Sequence, residues 1–167
     1  MNERFTIRNI EPKDYDYVLE LNEINVEVLS PMDMDKLLHF LETTELFQVA
    51  EVDGKLAAFM IVLREGKDYG SENYLYFSKK FDKFLYIDRI VIDEFARGIG
   101  LGRTLYNQLI EHAKKTGVKT ITAEIDTEPV YNNVSLLFHE AMGFKEVGVQ
   151  YVRDNTIKVS LQALELE

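Results

Sequence analysis

The chain has 167 residues, 46% of them hydrophobic and 29% charged, which is the profile of a globular protein with a core of its own. It has no cysteine, so disulfides, thiolate metal sites and cysteine nucleophiles are excluded. Its formal net charge of −10 disfavours nucleic acid and anionic membrane surfaces as partners, and we expect neither.

No targeting or membrane-spanning segment is expected from the sequence. The first nine residues, MNERFTIRN, are charged and lack the apolar core of a secretory signal. The longest apolar run, Leu56 to Leu63, is far shorter than the roughly 20 residues that cross a bilayer. Without repeats or linkers, the sequence predicts a single domain over residues 1–167, located in the cytoplasm.

The first elements are a strand and two helices. Phe5 to Arg8 alternates apolar and polar residues, which predicts a strand. Apolar residues at helical spacing predict a helix that starts near Pro12 and breaks at Ser30-Pro31; they are Tyr15, Val18, Leu19, Leu21, Ile24 and Val28. Met34 to Leu41 predicts a second, shorter helix.

A hairpin and an aromatic loop follow. Two apolar runs, 46–52 and 56–63, flank Asp53-Gly54, and Asp-Gly between such runs is a strong hairpin signal. Residues 65–83 predict a long loop that carries several aromatic residues: Tyr69, Tyr74, Tyr76, Phe77 and Phe81. It is either a functional loop or a flap that packs on the core.

The second half alternates strands and helices. Strands are predicted at Leu85 to Ile92, 120–126, 144–152 and 157–166, the last two turning at Asp154-Asn155. Helices are predicted at 98–116, ending at Gly117, and at 133–142. Because this alternation is confined to one half, a mixed α/β sheet (α+β) is favoured over a fully parallel sheet.

The segment DEFARGIGLGRTLY, residues 93–106, is the strongest chemical signal. Gly98, Gly100 and Gly102 stand where a strand passes into a helix, so a ligand can approach the backbone and the unpaired N–H groups of the helix start. With Arg97 and Arg103 on either side, the segment predicts a phosphate site. Its spacing fits neither the Rossmann nor the Walker glycine loop, and glycines without a ligand would cost helix stability to no purpose.

The pattern Arg97-x-x-Gly100-x-Gly102 resembles the acetyl-CoA loop of the GNAT superfamily of N-acetyltransferases. Its surroundings, IDRIVIDEFARGIGLGRTLYNQLIEHAKKTGVKTI, resemble that family's central strand, loop, helix and next strand. NNVSLLFHEAMGF, from Asn132, is similar to its second motif, and VAEVDGKLAAFMIV to its N-terminal hairpin. A narrower resemblance is to uncharacterised bacterial predicted acetyltransferases. The resemblance implies a GNAT-type splayed, mostly antiparallel sheet of about seven strands flanked by about four helices.

The resemblance also implies where acetyl-CoA, the cosubstrate, binds. Its pantetheine would pair with backbone at the end of the central strand, at Ile90, Val91 and Ile92. Its pyrophosphate would lie on the loop N–H groups of Arg97, Gly98, Ile99, Gly100, Leu101, Gly102 and Arg103. Asn132 would contact the cofactor or only cap the last helix, and Ser135 would contact it or only pack.

The chemistry implied by the family is direct transfer of acetyl from the thioester to an amine. The family's proton donor to sulfur is a tyrosine five residues before the Phe of Gly-Phe, a position that is His139 here. An imidazole donates or accepts protons near neutral pH. Two readings stay open: His139 donates the proton, or it packs on or hydrogen-bonds the cofactor. Tyr131 and Tyr106 are fallback donors.

Two carboxylates are candidates for the general base. Tyr86, Asp88, Ile90 and Ile92 share one face of their strand, and Glu124 lies on the next strand with Thr122 and Asp126. Asp88 is the first candidate and Glu124 the second. Asp88 alternatively pairs with Arg89, although Arg89 is expected on the opposite face. Either acid alternatively binds a cationic acceptor.

The acceptor is expected to be a small-molecule primary amine rather than a protein, because no extended peptide groove is legible. Candidate substrate-binding residues are Asn22, Asn25, Tyr74, Tyr76 and Tyr86, with Tyr74 and Tyr76 forming a lid. No metal is expected, and the chain is expected to be a monomer or homodimer. The alternatives are a CoA-binding sensor without turnover, favoured by the missing tyrosine, and an unliganded interaction module.

Overall fold

The computed structural model describes residues 4–26 and 29–167. The strands are β1 Phe5–Asn9, β2 Leu46–Val52, β3 Lys55–Arg64, β4 Leu85–Ile92, β5 Thr120–Glu128, β6 Lys145–Val152 and β7 Ile157–Glu165. The α-helices are α1 Tyr15–Ile24, α2 Met34–Thr43, α3 Glu72–Lys80, α4 Leu101–Thr116 and α5 Asn133–Met142. Two compact units are formed: Met1–Leu63 with Ile87–Ile110, and Arg64–Tyr86 with Glu111–Glu167.

The strands form one seven-stranded sheet in the order β1-β2-β3-β4-β5-β7-β6. Neighbours β1 and β2, β2 and β3, β5 and β7, and β6 and β7 are antiparallel. The ladder of β4 with β5 is parallel and joins Leu85 to Ile121 and Tyr86 to Thr122. The predicted mixed, mostly antiparallel sheet is confirmed. No helix within the described residues is long and apolar enough to cross a membrane.

The first unit is built on the predicted β2–β3 hairpin. Asp53 and Gly54 both have positive φ angles, 51° and 82°, as the two central residues of a type I′ turn require. The run Ala57 to Leu63 in β3 is buried at every residue, so this strand is covered on both faces. The helices add apolar side chains to that core, with Val18 from α1 and Phe40 from α2 fully buried.

Helix α1 ends at Ile24, and the prediction that it extends to Ser30-Pro31 is wrong. The reason is Asn25, whose side-chain amide donates to the carbonyl of Leu21 at 2.9 Å. A local bond of this kind satisfies a carbonyl at the helix end and competes with further helix. Val28, which was assigned to the same helix, lies outside the described residues.

In the second unit, the prediction of a continuous loop over 65–83 is wrong, because it contains helix α3. Ser71 caps that helix by accepting the backbone N–H of Tyr74 at 3.4 Å. Tyr74 and Phe77 are buried, at 2% and 0% exposure. Tyr74 and Phe77 therefore pack on the core, as the second alternative predicted, and residues 4–26 and 29–167 contain five α-helices.

Strand β6 bulges where α3 contacts it. The register with β7 shifts between Glu146 and Gly148, and the Tyr76 hydroxyl donates to the carbonyl of Val147 at 3.3 Å. A Cβ on Gly148 would collide with that hydroxyl. The side-chain amide of Gln150 also donates to the carbonyl of Glu72, at 3.2 Å. These contacts fix α3 against β6.

Helix α4 begins at Leu101, three residues later than predicted, because Gly98 and Gly100 have the positive φ angles of a turn, 76° and 91°. The predicted stop at Gly117 is confirmed by its φ of 75°. Gly143 ends α5 in the same left-handed conformation, with φ of 102°.

Candidate active site

The glycine loop of the first unit is a turn that presents backbone N–H groups. Thr104 is the first residue of α4 whose N–H reaches back to the loop, donating to the carbonyl of Gly100 at 3.1 Å. The N–H groups of residues 101–103 have no carbonyl one turn earlier within the helix. Leu101 is 1% exposed, so its side chain belongs to the core. The 16-residue helix directs its positive end toward the same place.

The arginines of the loop differ in what they do. Arg103 is exposed at the first turn of α4. The Nε of Arg97 donates to the carbonyl of Ile92 at 3.0 Å, so this side chain folds back onto the end of β4. There, Val91 is buried and Ile90 and Ile92 are half-buried, as strand alternation predicts.

Tyr17 and Asp93 anchor the start of the loop, and neither residue was predicted from the sequence to do so. The Tyr17 hydroxyl donates to Asp93 Oδ2 at 2.8 Å, and the backbone N–H of Asp93 donates to the carbonyl of Ala57 at 2.7 Å. Burial, followed by this bond to Asp93, raises the pKa of Tyr17. No sequence pattern joins two residues 76 positions apart.

Arg89 is the centre of a buried polar cluster in the first unit. Its Nε donates to Asp88 Oδ2 at 2.6 Å, and the two side chains are 2% and 4% exposed. Its Nη1 donates to Asn22 Oδ1 and to the carbonyl of Ser30, both at 2.9 Å. Its Nη2 donates to Ser30 Oγ at 2.8 Å. The guanidinium also lies 5.5 Å from the ring centre of Phe40.

Hydrogen bonds in the first unit involve three of the predicted site residues: Asn22, Asn25 and Asp88. Asn22 is 0% exposed and its side chain is bonded to Arg89, while its assignment to substrate binding stays a prediction. Asn25 caps α1 through Leu21. Asp88 forms an ion pair with Arg89, which was the alternative prediction for this residue. The expectation that Arg89 only points to the opposite face of the strand is wrong.

In the second unit, Tyr86 and Glu124 form a short hydrogen bond. The phenol donates to Glu124 Oε1 at 2.6 Å across the β4–β5 ladder. Tyr86 is 1% exposed, whereas Glu124 is half-buried. Beside them Thr122 donates to the carbonyl of Leu85 at 3.0 Å, and burial raises the pKa of Asp126. The sequence placed Glu124, Thr122 and Asp126 on one face but did not predict the phenol–carboxylate bond.

The predicted lid residues are anchored elsewhere. The Tyr74 hydroxyl donates to the carbonyl of Arg64 at 2.6 Å and accepts the N–H of Lys67 at 2.9 Å. Burial raises the pKa of Tyr74. Tyr76 is bonded to Val147, as described above. That Tyr74 and Tyr76 form a lid over the substrate stays a prediction.

Helix α5 carries the second motif. Asn132 Oδ1 accepts the N–H of Ser135 at 3.1 Å, so Asn132 caps the helix. His139 is 5% exposed, and its ring lies edge-on to Phe138 and Phe144, with centroids 5.5 and 5.0 Å away. Its Nδ1 lies 2.7 Å from the carbonyl oxygen of Ser135 and 3.3 Å from the Ser135 hydroxyl.

The contact with Ser135 fixes the tautomer of His139. A carbonyl only accepts hydrogen bonds, so Nδ1 carries the proton in the neutral ring and Nε2 carries a lone pair. Burial lowers the pKa of His139, and the bond to Ser135 opposes this only in part. Neutral His139 is therefore a proton acceptor at Nε2, and it becomes a donor there only after it has been protonated.

Comparison with known proteins bears directly on the glycine loop and α5. A model of the "Acetyltransferase (GNAT) family" matches residues 7–144. The chain belongs to the GNAT acetyltransferase family. The predicted membership of the GNAT family is thereby confirmed. The predicted acyltransferase activity and the predicted cosubstrate, acetyl-CoA, are confirmed as well.

Solved structures show the same fold. A structure described as a "putative phosphinothricin N-acetyltransferase" has 26% identity and a TM-score of 0.72, with 98% of this GNAT chain and 99% of that chain covered. YncA from Salmonella typhimurium, solved with acetyl-CoA, has 21% identity and a TM-score of 0.68, covering 99% and 95%. Arabidopsis thaliana Naa50, in complex with the bisubstrate analogue CoA-Ac-MVNAL, has 15% identity and a TM-score of 0.74, covering 98% and 99%. No protein with a curated description is a significant match.

The glycine loop of this GNAT chain has backbone features that suit a bound anion. A side chain at Gly98 or Gly100 would meet open space, so glycine is needed there for its φ angle, not for room within the protein. That leaves backbone N–H groups accessible at a positive helix end, which suits an anion. Within residues 4–26 and 29–167, no group of three His, Cys, Asp or Glu side chains could hold a metal ion.

Proposed function

We propose that this chain transfers the acetyl group of acetyl-CoA directly to a primary amine of a small molecule. The observation that carries the proposal is the glycine loop, whose left-handed Gly98 and Gly100 precede the free N-terminal turn of α4. We assign cofactor binding to that loop, to the end of β4 at Ile90 to Ile92, and to Asn132, Ser135 and His139 on α5. The family model spans segments of both units, which supports one N-acetyltransferase domain over residues 1–167.

Acetyl-CoA supplies an activated acyl group, and the protein must orient the amine, remove a proton from its ammonium form and return one to sulfur. Glu124 is the better candidate for the base. The Asp88 side chain is 4% exposed and already paired with Arg89, so protonating it would break a buried ion pair. Glu124 is half-buried and bonded to a neutral phenol.

His139 serves the sulfur in this proposal. Its neutral ring takes up at Nε2 the second proton, which the amine nitrogen loses after it attacks the thioester, and passes that proton to the departing thiolate. Because burial lowers the pKa of His139, the imidazolium is a stronger acid than a free histidine and releases its proton readily. The second reading, contact with the cofactor without proton transfer, predicts no dependence of turnover on this ring's protonation.

A small-molecule acceptor is favoured over a protein. The similarity to the structure described as a "putative phosphinothricin N-acetyltransferase", at 26% identity over nearly both whole chains, supports this choice. A CoA-binding sensor without turnover is the second candidate function, because His139 replaces the family's tyrosine. Monomer or homodimer and a cytoplasmic location stay predictions.

The test is continuous detection of free CoA thiol during incubation with acetyl-CoA and a panel of small amines, with peptides of varied N-terminal residues in parallel. We expect steady CoA release with at least one small amine. Binding of CoA, seen as a thermal shift, without release against any acceptor would favour the sensor. The loop control is Gly100→Val, which forces a β-branched residue to a φ of 91° and should abolish the shift. Absence of a shift in the unmodified protein would refute both functions.

The role of His139 is tested with His139→Phe, which keeps an apolar ring in the same surroundings. Loss of a proton-transfer group is expected to lower kcat by about 10²- to 10³-fold. The loss should be largest at the pH values at which the wild-type ring both takes up and releases a proton. Turnover that is unchanged across pH would remove His139 from the mechanism.

A further inference from the structure

The side chain of Tyr86 supports that of Glu124 through a hydrogen bond. In the β4–β5 ladder Tyr86 pairs with Thr122, and Glu124 follows two residues later on the same face. The phenol reaches across this diagonal and donates to Glu124 Oε1 at 2.6 Å. A hydrogen bond this short, with a carboxylate as acceptor, belongs to the strong charge-assisted class.

The ring of Tyr86 is held in place by core packing. It contacts Tyr74 edge-on with centroids 5.6 Å apart, and it lies 5.9 Å from Phe77. Tyr74 is itself bonded to the carbonyl of Arg64 and to the N–H of Lys67. A ring that is 1% exposed in such surroundings cannot swing away, so its hydroxyl fixes where Glu124 Oε1 lies.

We infer that Tyr86 is a positioning residue that holds Glu124 in place and keeps its carboxylate ionised. This rests on the proposed function, in which Glu124 accepts the proton of the amine. Donation from the phenol stabilises the carboxylate over the carboxylic acid. Asp126 lies on the same face of β5 as Glu124, and the ring of Tyr74 packs against that of Tyr86. Tyr86 therefore acts through Glu124 and not on the substrate, to which the sequence analysis had assigned it.

The test is Tyr86→Phe, which retains the packed ring and removes only the hydroxyl. A bond of this class changes the proton affinity of its acceptor by an amount that corresponds to roughly one pH unit or more. We expect the acidic limb of the kcat/KM profile to move upward by about one pH unit, and kcat at neutral pH to fall about tenfold. The KM for the amine should change little.

Two further variants make the test specific. Tyr151→Phe is the matched control, since the Tyr151 hydroxyl donates to the exposed Glu128 at 3.0 Å in the same unit, and its loss should leave the kinetics unchanged. In a Glu124→Gln background, Tyr86→Phe should have no further effect on kcat, because its partner is no longer a base.

Equal losses from Tyr86→Phe in the wild-type and Glu124→Gln backgrounds would overturn the inference, as would an acidic limb that does not move. If Tyr86→Phe unfolds, Glu124→Asp withdraws the carboxylate from the hydroxyl, and the same upward shift is then required. A wild-type protein that binds CoA but acetylates no amine would instead refute the proposed function, and the inference with it.

Discussion

Replacing Arg89 with methionine is expected to destabilise the protein strongly, because it leaves the Asp88 carboxylate buried without its counter-ion. The Asp88 side chain is 4% exposed, and the arginine donates to it at 2.6 Å. The same change deprives Asn22 and Ser30 of a donor. Removing one partner of a buried ion pair costs about 3–5 kcal/mol, out of the roughly 5–15 kcal/mol that stabilise a typical domain.

For a chain of this size, that loss corresponds to a fall in Tm of roughly 6–20 °C. Urea unfolding followed by circular dichroism and tyrosine fluorescence measures it directly, since the chain has nine tyrosines and no tryptophan. The matched control is Arg4→Met, which removes an exposed pair with Asp53 and should cost no more than about 1 kcal/mol.

A double variant tests whether the buried Asp88 carboxylate, left without Arg89, causes the loss of stability. Asp88→Asn together with Arg89→Met removes both charges of the ion pair, so it should be more stable than Arg89→Met alone. The reasoning is refuted if Arg89→Met costs less than about 1 kcal/mol, or if the double variant loses the sum of both single losses.

Three further predictions concern the second unit. Burial lowers the pKa of His139 below its value in the unfolded chain, so its contribution to the free energy of unfolding is present above about pH 6.5 and declines as the pH falls toward the folded pKa. His139→Phe should therefore make stability less dependent on pH in this range. The control is His39→Gln, at an exposed histidine, which should leave the pH dependence unchanged. Gly148→Ala should cost about 1–3 kcal/mol by urea unfolding, whereas Gly70→Ala, which faces open space, should cost less than about 0.5 kcal/mol. Asn132→Asp should keep the helix cap and the Tm, yet weaken CoA binding by roughly three- to tenfold in titration calorimetry because it adds negative charge.

Each of these predictions can fail in its own way. An unchanged pH slope in His139→Phe would mean that other groups carry the acid sensitivity. Equal stability of the two glycine variants would show that the tyrosine hydroxyl beside Gly148 yields without cost. Full CoA affinity in Asn132→Asp would confine Asn132 to its role as a cap.

The parts of the fold that were predicted correctly are set by local chemistry. Asp53-Gly54 determines its turn because both residues tolerate positive φ, and this fixes the register of the hairpin. Gly117 ends α4 for the same reason.

The failures come from contacts between distant parts of the chain. Helix α3 was missed because its buried pair, Tyr74 and Phe77, lies in a short helix that is preceded and followed by polar residues typical of a loop. Arg89 was expected to face away from Asp88, but a long side chain can turn back to its neighbour once Asn22 and Ser30, 67 and 59 residues away, enclose it. No periodicity in the sequence encodes such an enclosure.

The sequence predicted which residue types lie in the candidate site, but not their protonation states or hydrogen-bond partners. The sequence placed an imidazole at position 139, yet which nitrogen carries the proton depends on the carbonyl of Ser135 one helical turn earlier. It likewise named Glu124 without the phenol of Tyr86. Protonation follows from packing, and packing is the part that pattern reading does not supply.

The bulge at Gly148 constrains how the sequences of relatives can diverge. Positions 76 and 148 compete for one small volume, filled here by a tyrosine hydroxyl opposite a missing side chain. A lineage that gains a side chain at 148 should already have lost the bulk at 76, so the order of the two substitutions is restricted. Across an alignment of relatives, a larger side chain at one of the two positions should therefore accompany a smaller one at the other. Sequences with a large side chain at both positions should be rare.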